Sequence, residues 1–226
     1  MNTTELVGYL ATAVTILSYT NGIPLCRQMY KQRSSREVAY LPLVTGCFST
    51  FVWLQYGLVK PDQNVVIVNA IGIVLQVVYV LCYYYFTESR YLGQATGMLF
   101  GLVVFMVFVT VYVHVSTFSP EHTAGVLGKA GSAASIFFYV SPLLSIAQVL
   151  RSRSSDILPF SIIAWSFLVT ALWGVYGLLL KDPNLYVANG TGVFITGFEL
   201  LLCIWYHMLV SLSYSPNFRA CRICFV

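Results

Sequence analysis

Charge is what this chain of 226 residues has least of: eight acids and twelve bases, 9% of the total, against 58% hydrophobic residues. A soluble domain of this size carries about a quarter of its residues as charges, so a water-soluble fold is excluded and most of the chain faces lipid. Cysteine is sparse and scattered, at 26, 47, 82, 203, 221 and 224. Four of these lie in or at the ends of apolar runs, which argues for packing residues and against a disulfide framework. Cys221-Arg-Ile-Cys224 is half of a zinc pattern without a second half, and reads as an unstructured cytosolic pair open to acylation. Also missing are His-Glu-x-x-His, Gly-x-Ser-x-Gly, paired intramembrane aspartates and a nucleotide-binding loop. Enzyme chemistry and nucleotide-driven pumping are therefore not expected, nor is a cofactor or a metal. The net charge of +4 has a better explanation in the loops than in nucleic-acid binding.

What is abundant is apolar length. A bilayer crossing needs about 20 mostly apolar residues, and seven such runs stand roughly at 6–26, 39–58, 65–86, 93–115, 125–148, 157–179 and 185–210. The first has no basic segment before it and no small-residue cleavage site, so it is expected to be a retained helix. Seven spans put the two ends on opposite sides. Arg27, Lys31, Arg33, Arg36, Arg90, Arg151, Arg153, Arg219 and Arg222 fall on one side, and Lys60, Lys129 and Lys181 on the other. Lys and Arg collect in the cytoplasm, which predicts an outside N-terminus and a cytoplasmic C-terminus. Asn2-Thr3-Thr4 is a glycosylation sequon close to the membrane; Asn189-Gly190-Thr191 has the same pattern inside a span.

The chain also repeats itself. A shift of 120 residues aligns Gly8 with Gly128, Tyr19 with Tyr139, and Arg33-Ser34-Ser35 with Arg153-Ser154-Ser155. After slippage around Pro42 and Pro159, W-x-x-Y-G-L from Trp53 matches the same motif from Trp173, and Asp62, Asn64, Asn69 and Gly72 match Asp182, Asn184, Asn189 and Gly192. A fixed period of this density means duplicated structure. The expected architecture is an all-α membrane protein with seven transmembrane helices: two parallel three-helix repeats over residues 1–88 and 123–213, a linker helix region over 89–122, and a short cytoplasmic tail, 214–226.

On these residues the chain resembles the SWEET family of sugar transporters, in its short-tailed animal form. Tyr139-Val140-Ser141-Pro142-Leu143, the Arg-Ser-Ser loops leading to Pro42 and Pro159, and both W-x-x-Y-G…D…N-x-x-G blocks carry the resemblance, which spans about residues 5 to 210. It implies passive movement of a sugar, most readily a monosaccharide such as glucose, by alternating access of two three-helix units. Homo-oligomers are implied as well, in the plasma membrane or in the Golgi or another endomembrane. Parallel repeats generally hold substrate near the bilayer midplane, a generalisation that itself draws on SWEETs and so adds no independent support. The family also implies proline hinges. Pro42, Pro142 and Pro159 stand in place, but Pro24 is displaced by two residues and Gly22 occupies its register. Both residue types loosen a helix.

The repeated polar and aromatic residues suit a sugar. Asn69 and Asn189 supply amide donors and acceptors without placing charge in the membrane. Trp53 and Trp173 supply flat apolar walls. The alternative is structural: amides bridging helices and indoles filling space. Tyr56 and Tyr176 stand just before Asp62 and Asp182 in the short outer loops, where a tyrosine–carboxylate hydrogen bond makes a breakable gate. Tyr56 with Asp182 is the pair the resemblance implies; the plainer role is solvation of loops beside Lys60 and Lys181. Glu199 is the one acid well inside a span, and its register match is Tyr79.

Two other functions share these features. A proton-coupled transporter of the PQ-loop class would use Glu199, but no Pro-Gln dipeptide follows any of the candidate hinge prolines. A seven-helix sensor or receptor also fits the span count, although the last span holds no lysine for a retinal Schiff base.

Overall fold

The computed structural model describes residues 2–115, 117–152 and 160–214, with side chains described over 2–115, 117–140, 160–161 and 163–206. Pro159 and the tail from residue 215, with Cys221 and Cys224, lie outside the described residues. All elements among the described residues are helices: α1 (Thr3–Tyr19), α2 (Gly22–Gln32), α3 (Tyr40–Val59), α4 (Gln63–Tyr85), α5 (Ser89–Val115), α6 (Pro120–Ser152), α7 (Phe160–Leu179) and α8 (Pro183–Tyr214). Helices α1 and α2 follow one another within a single span, so seven spans result, as the apolar runs predict. The joined α1–α2 segment, α3, α4, α5 and the described part of α8 are each long and apolar enough to cross a bilayer.

The first span differs from a plain helix. Thr20 and Asn21 donate their backbone N–H groups back to Leu17 and Ser18, three residues away, and the Ile23 N–H goes to Thr20 at 2.9 Å. Pro24 has no N–H with which to continue the ladder. The chain therefore restarts at Gly22, and Pro24 falls in the first turn of α2, where its missing donor breaks no helical bond. The Tyr19 carbonyl, which Ile23 would satisfy in an unbroken helix, instead accepts the Tyr79 hydroxyl at 2.8 Å. Pro42 likewise sits in the first turn of α3. The backbone of α6, by contrast, runs as helix through Pro142.

Short connections between the second and third helices fix the rest of each repeat. Asp62 caps α4 by accepting the Val65 N–H at 3.0 Å, and Asp182 accepts the N–H groups of Asn184 and Leu185 at the start of α8. A carboxylate is favoured at a helix N-terminus by the dipole as well as by the unpaired donors. Within each repeat the third helix packs between the other two: α4 against α1 and α3, and α8 against α6 and α7. Across the repeats α1 packs on α7 and α3 on α6, so the first helix of each unit meets the second helix of the other. The linker α5 packs on α3 and touches α4, with Phe48 and Phe105 stacked at 3.8 Å between centroids. Between the repeats a core of Ala11, Val52, Trp53, Tyr56, Trp173 and Tyr176 excludes solvent. Large apolar side chains such as Phe108, Phe137 and Phe194 face outward, as a lipid-embedded bundle requires.

Candidate functional site

The crossed packing of α1 on α7 and α3 on α6 leaves a central cavity of about 310 Å³, at the small end of the range for ligand pockets, roughly 300 to 1,000 Å³. Trp53, Trp173, Asn69 and Asn189 all line it, although the two members of each pair are 120 residues apart in sequence. Gly22 and Pro42 line it too, whereas Pro24 does not.

Each indole is fixed by the opposite repeat. Trp53 Nε1 donates to Ser135 Oγ at 3.1 Å, and Trp173 Nε1 donates to Thr15 Oγ1 at 2.9 Å. Thr15 and Ser135 are themselves related by the 120-residue shift, but sequence identity does not expose them because one is a threonine and the other a serine. With its N–H edge tied back, each ring is left to act as a wall. The amides are held differently. Asn69 Nδ2 donates to the Val65 carbonyl at 2.8 Å and Asn189 Nδ2 to the Leu185 carbonyl at 2.9 Å, each one turn earlier in its own helix. Helix bridging is thus done by the tryptophans, not the asparagines. Each amide keeps a second N–H and its oxygen for other partners.

Above the cavity two latches cross the repeat interface. The Tyr56 hydroxyl lies 2.9 and 2.7 Å from the two oxygens of Asp182, and the Tyr176 hydroxyl donates to Asp62 Oδ2 at 2.9 Å. Both expected gate aspartates therefore meet the tyrosine of the other repeat. The same tyrosines pack edge-on against the tryptophans, Tyr56 on Trp53 at 5.2 Å and Tyr176 on Trp173 at 5.5 Å between centroids.

Two further pairs were not singled out as gate residues. Asn64 Nδ2 donates to the Tyr176 hydroxyl at 3.0 Å, and Asn184 Nδ2 reaches the Tyr56 hydroxyl at 3.4 Å. Their signal was present in the shift that aligns Asn64 with Asn184 and Gly8 with Gly128. A Cβ added at Gly8 would stand 2.5 Å from Asn64 Nδ2, and one at Gly128 would collide with Asn184, so the glycines are what let the amides approach. The two latches are also unequal. Lys60 Nζ pairs with Asp182 Oδ2 at 2.8 Å. The position matching Lys60 is Leu180, and among the described residues Asp62 has no equivalent cation.

The cavity continues from beneath the latches toward the α1–α2 break, where Tyr79, Gly22 and Leu25 line it. Tyr79 lies so close to Gly22 that a Cβ there would overlap its ring. Glu199, the register match of Tyr79, is completely buried but is not part of the cavity lining. Pro142 stands within α6, and Pro159 lies outside the described residues.

Known proteins give the family to which the chain belongs. The family described as "Sugar efflux transporter for intercellular exchange" matches residues 5–91 and 125–209, the two repeats without the linker. Sugar transporter SWEET1 of Danio rerio is 30% identical over 226 residues, covering 99% of this chain and 100% of that protein. Bidirectional sugar transporter SWEET16 of Arabidopsis thaliana is 30% identical over 202 residues, covering 88% of each. A solved structure of a eukaryotic SWEET transporter at 25% identity superposes with a TM-score of 0.80 over 92% of this chain and 100% of the other. The chain belongs to the SWEET family of sugar transporters, as an integral multi-pass membrane protein.

Proposed function

We propose that the protein is a facilitative uniporter for a hexose, with glucose as the reference substrate, working by alternating access about the central cavity. The observation that carries this reading is a pair of crossed tyrosine–aspartate latches closing one end of a cavity lined by two indoles and two amides. A pyranose needs hydrogen bonds at its hydroxyl edges and apolar contact at its C–H faces. The free N–H and oxygen of Asn69 and Asn189 suit the first, and the faces of Trp53 and Trp173 suit the second. Among the described residues no charged side chain lines the cavity, which fits a neutral solute.

In the cycle we envisage, sugar is exchanged at the basic-loop end while Tyr56–Asp182 and Tyr176–Asp62 hold the far end shut. Rocking of the repeats then breaks both latches and closes the other end. Hydrogen bonds to a charged group, about 1.5–3 kcal/mol each, are weak enough to break on every turnover. Gly22, Pro24, Pro42, Pro142 and Pro159 are the proposed bending points. The basic-loop end is assigned to the cytoplasm by the distribution of Lys and Arg, the plasma membrane is the proposed site of action, and protomers are proposed to associate. Proton coupling would fall to Glu199, whose position outside the cavity lining speaks against a direct role in binding. The test is uptake by purified protein in liposomes at equal pH. Saturable glucose flux that follows its own gradient supports the reading, and uphill accumulation driven by a proton gradient and lost in Glu199→Gln overturns it.

A further inference from the structure

A second cavity, of about 330 Å³, lies at the basic-loop end, between the start of α3, the end of α4 and the first turns of α5. Its polar wall includes Arg36, Tyr40, Glu88 and Gln94, and its apolar wall is Ala95 and Met98. One base and one acid line it, Arg36 and Glu88, but the acid is engaged by groups outside the lining. Glu88 already accepts from Ser34 Oγ at 3.1 Å and pairs with Arg90 Nε at 3.2 Å. Arg36 has no carboxylate partner among the described residues. The neighbouring Glu37 is taken up by Gln28 and Gln32.

A second feature points to a missing ligand. The Tyr40 hydroxyl is buried and has no hydrogen-bond partner among the described residues, although its ring is held against Tyr83 at 4.6 Å. Buried polar groups are rarely left unpaired, so such an oxygen marks a place for a ligand atom. Tyr40 also opens α3, whose cap residue Ala39 offers no side-chain acceptor, so the positive end of a 20-residue helix adds to the field of Arg36. The groups around the cavity thus favour an anion that can accept from a guanidinium and a phenol together. Met98 at the rim is 39% exposed, and α5 continues from it as an apolar helix to Val115, so the ligand must also tolerate hydrocarbon. Basic pockets between transmembrane helices at the cytoplasmic side have this character.

We propose that this cavity seats the headgroup of an anionic glycerophospholipid, with Arg36 pairing with the net negative charge that a choline ammonium would cancel, the Tyr40 hydroxyl donating to the phosphate, and the acyl chains lying along α5. A lipid so placed would tie the linker helix to the first repeat where α3, α4 and α5 meet.

Native mass spectrometry of the full chain in detergent, titrated with phosphatidylserine and with phosphatidylcholine of the same acyl chains, tests this. Phosphatidylserine adducts should be retained over phosphatidylcholine, and Arg36→Gln and Tyr40→Phe should each lower retention by roughly tenfold, the change expected for one hydrogen bond to a charged group. Tyr40→Phe removes only an oxygen with no protein partner, so it decides the matter even if Arg36→Gln folds poorly. Arg33→Gln removes the same charge at the same end but outside the cavity, where Arg33 stacks on Tyr30 at 4.5 Å, and should leave retention unchanged. Equal retention of the two lipids, or an Arg33→Gln loss as large as that of Arg36→Gln, overturns the site in favour of diffuse surface attraction. Displacement of phosphatidylserine by millimolar inorganic phosphate would assign the cavity to a free anion and overturn the lipid.

Discussion

Trp53 and Ser135 are joined by a 3.1 Å hydrogen bond that spans the interface between the two repeats, and Trp173 with Thr15 repeats that bond across the pseudo-twofold axis at 2.9 Å. Both bonds lie directly beneath the tyrosine–aspartate latches, and both tryptophans stand in the cavity wall. Each latch tyrosine touches the cavity wall through one aromatic contact, Tyr56 on Trp53 and Tyr176 on Trp173. If the repeats rock, these two indole bonds are among the contacts that must rearrange.

The inequality of the latches predicts unequal mutants. Tyr56→Phe removes one donor from Asp182, which keeps Lys60 and two backbone N–H groups, so Asp182 stays compensated. Tyr176→Phe takes the single side-chain donor from Asp62. Tyr176→Phe should shift the ratio of latched to open forms by roughly tenfold or more, given about 1.5–3 kcal/mol per bond to a charged group, and Tyr56→Phe by less. Cysteine accessibility in the outer half of the cavity measures the shift. Asp182→Asn should be more damaging than Asp62→Asn, because Lys60 then loses its carboxylate.

Among the prolines, position in the helix ranks the effects. Pro142→Ala supplies an N–H to the interior of α6 and should stiffen it, lowering transport at unchanged surface level. Pro24→Ala and Pro42→Ala act in first turns, where the new N–H finds no carbonyl one turn back, and both should be milder. Sugar uptake normalised to surface protein checks the order; equal losses in Pro42→Ala and Pro142→Ala would show that Pro42 works by something other than a missing bond.

The α1–α2 break makes its own prediction. Gly22→Ala places a methyl group against the Tyr79 ring, so the clamp on the Tyr19 carbonyl must open. Tyr79→Phe removes the clamp without the clash. Leaving a buried carbonyl unpaired costs about 1–3 kcal/mol; thermal unfolding should show both variants destabilised, with Gly22→Ala the worse of the two.

Apolar run length alone was enough to locate seven spans within a few residues of their observed helices, because a bilayer imposes a length that no soluble core does. The break at Thr20 and Asn21 was hidden because the apolar pattern runs straight through it. α1 ends where the N–H groups of Thr20 and Asn21 turn to carbonyls three residues back. The site was legible where the repeats keep identical residues, as at Trp53 and Trp173 or Asn69 and Asn189. It was not legible where they keep only chemistry, as with Thr15 and Ser135, or where they diverge, as with Lys60 and Leu180. Those relationships depend on which helix faces which across the interface, and a linear shift does not contain that information.

The cavity should also select for size. Two indoles held in fixed orientation limit its width, so glucose should be carried in preference to sucrose, and Trp53→Ala should widen acceptance toward disaccharides at some loss of hexose affinity. Uptake of the two labelled sugars in the wild type and this variant measures the change.

Counterflow of labelled glucose in liposomes holding the wild type or the Asn69→Ala/Asn189→Ala double variant tests the central claim most directly. Each amide is expected to contribute about 1–3 kcal/mol of binding through its hydrogen bonds to the sugar. The wild type should show saturable counterflow, and the double variant should lose it while its amount in the membrane is unchanged. Full counterflow in the double variant, with normal dependence on glucose concentration, would contradict the assignment and place the sugar elsewhere in the bundle.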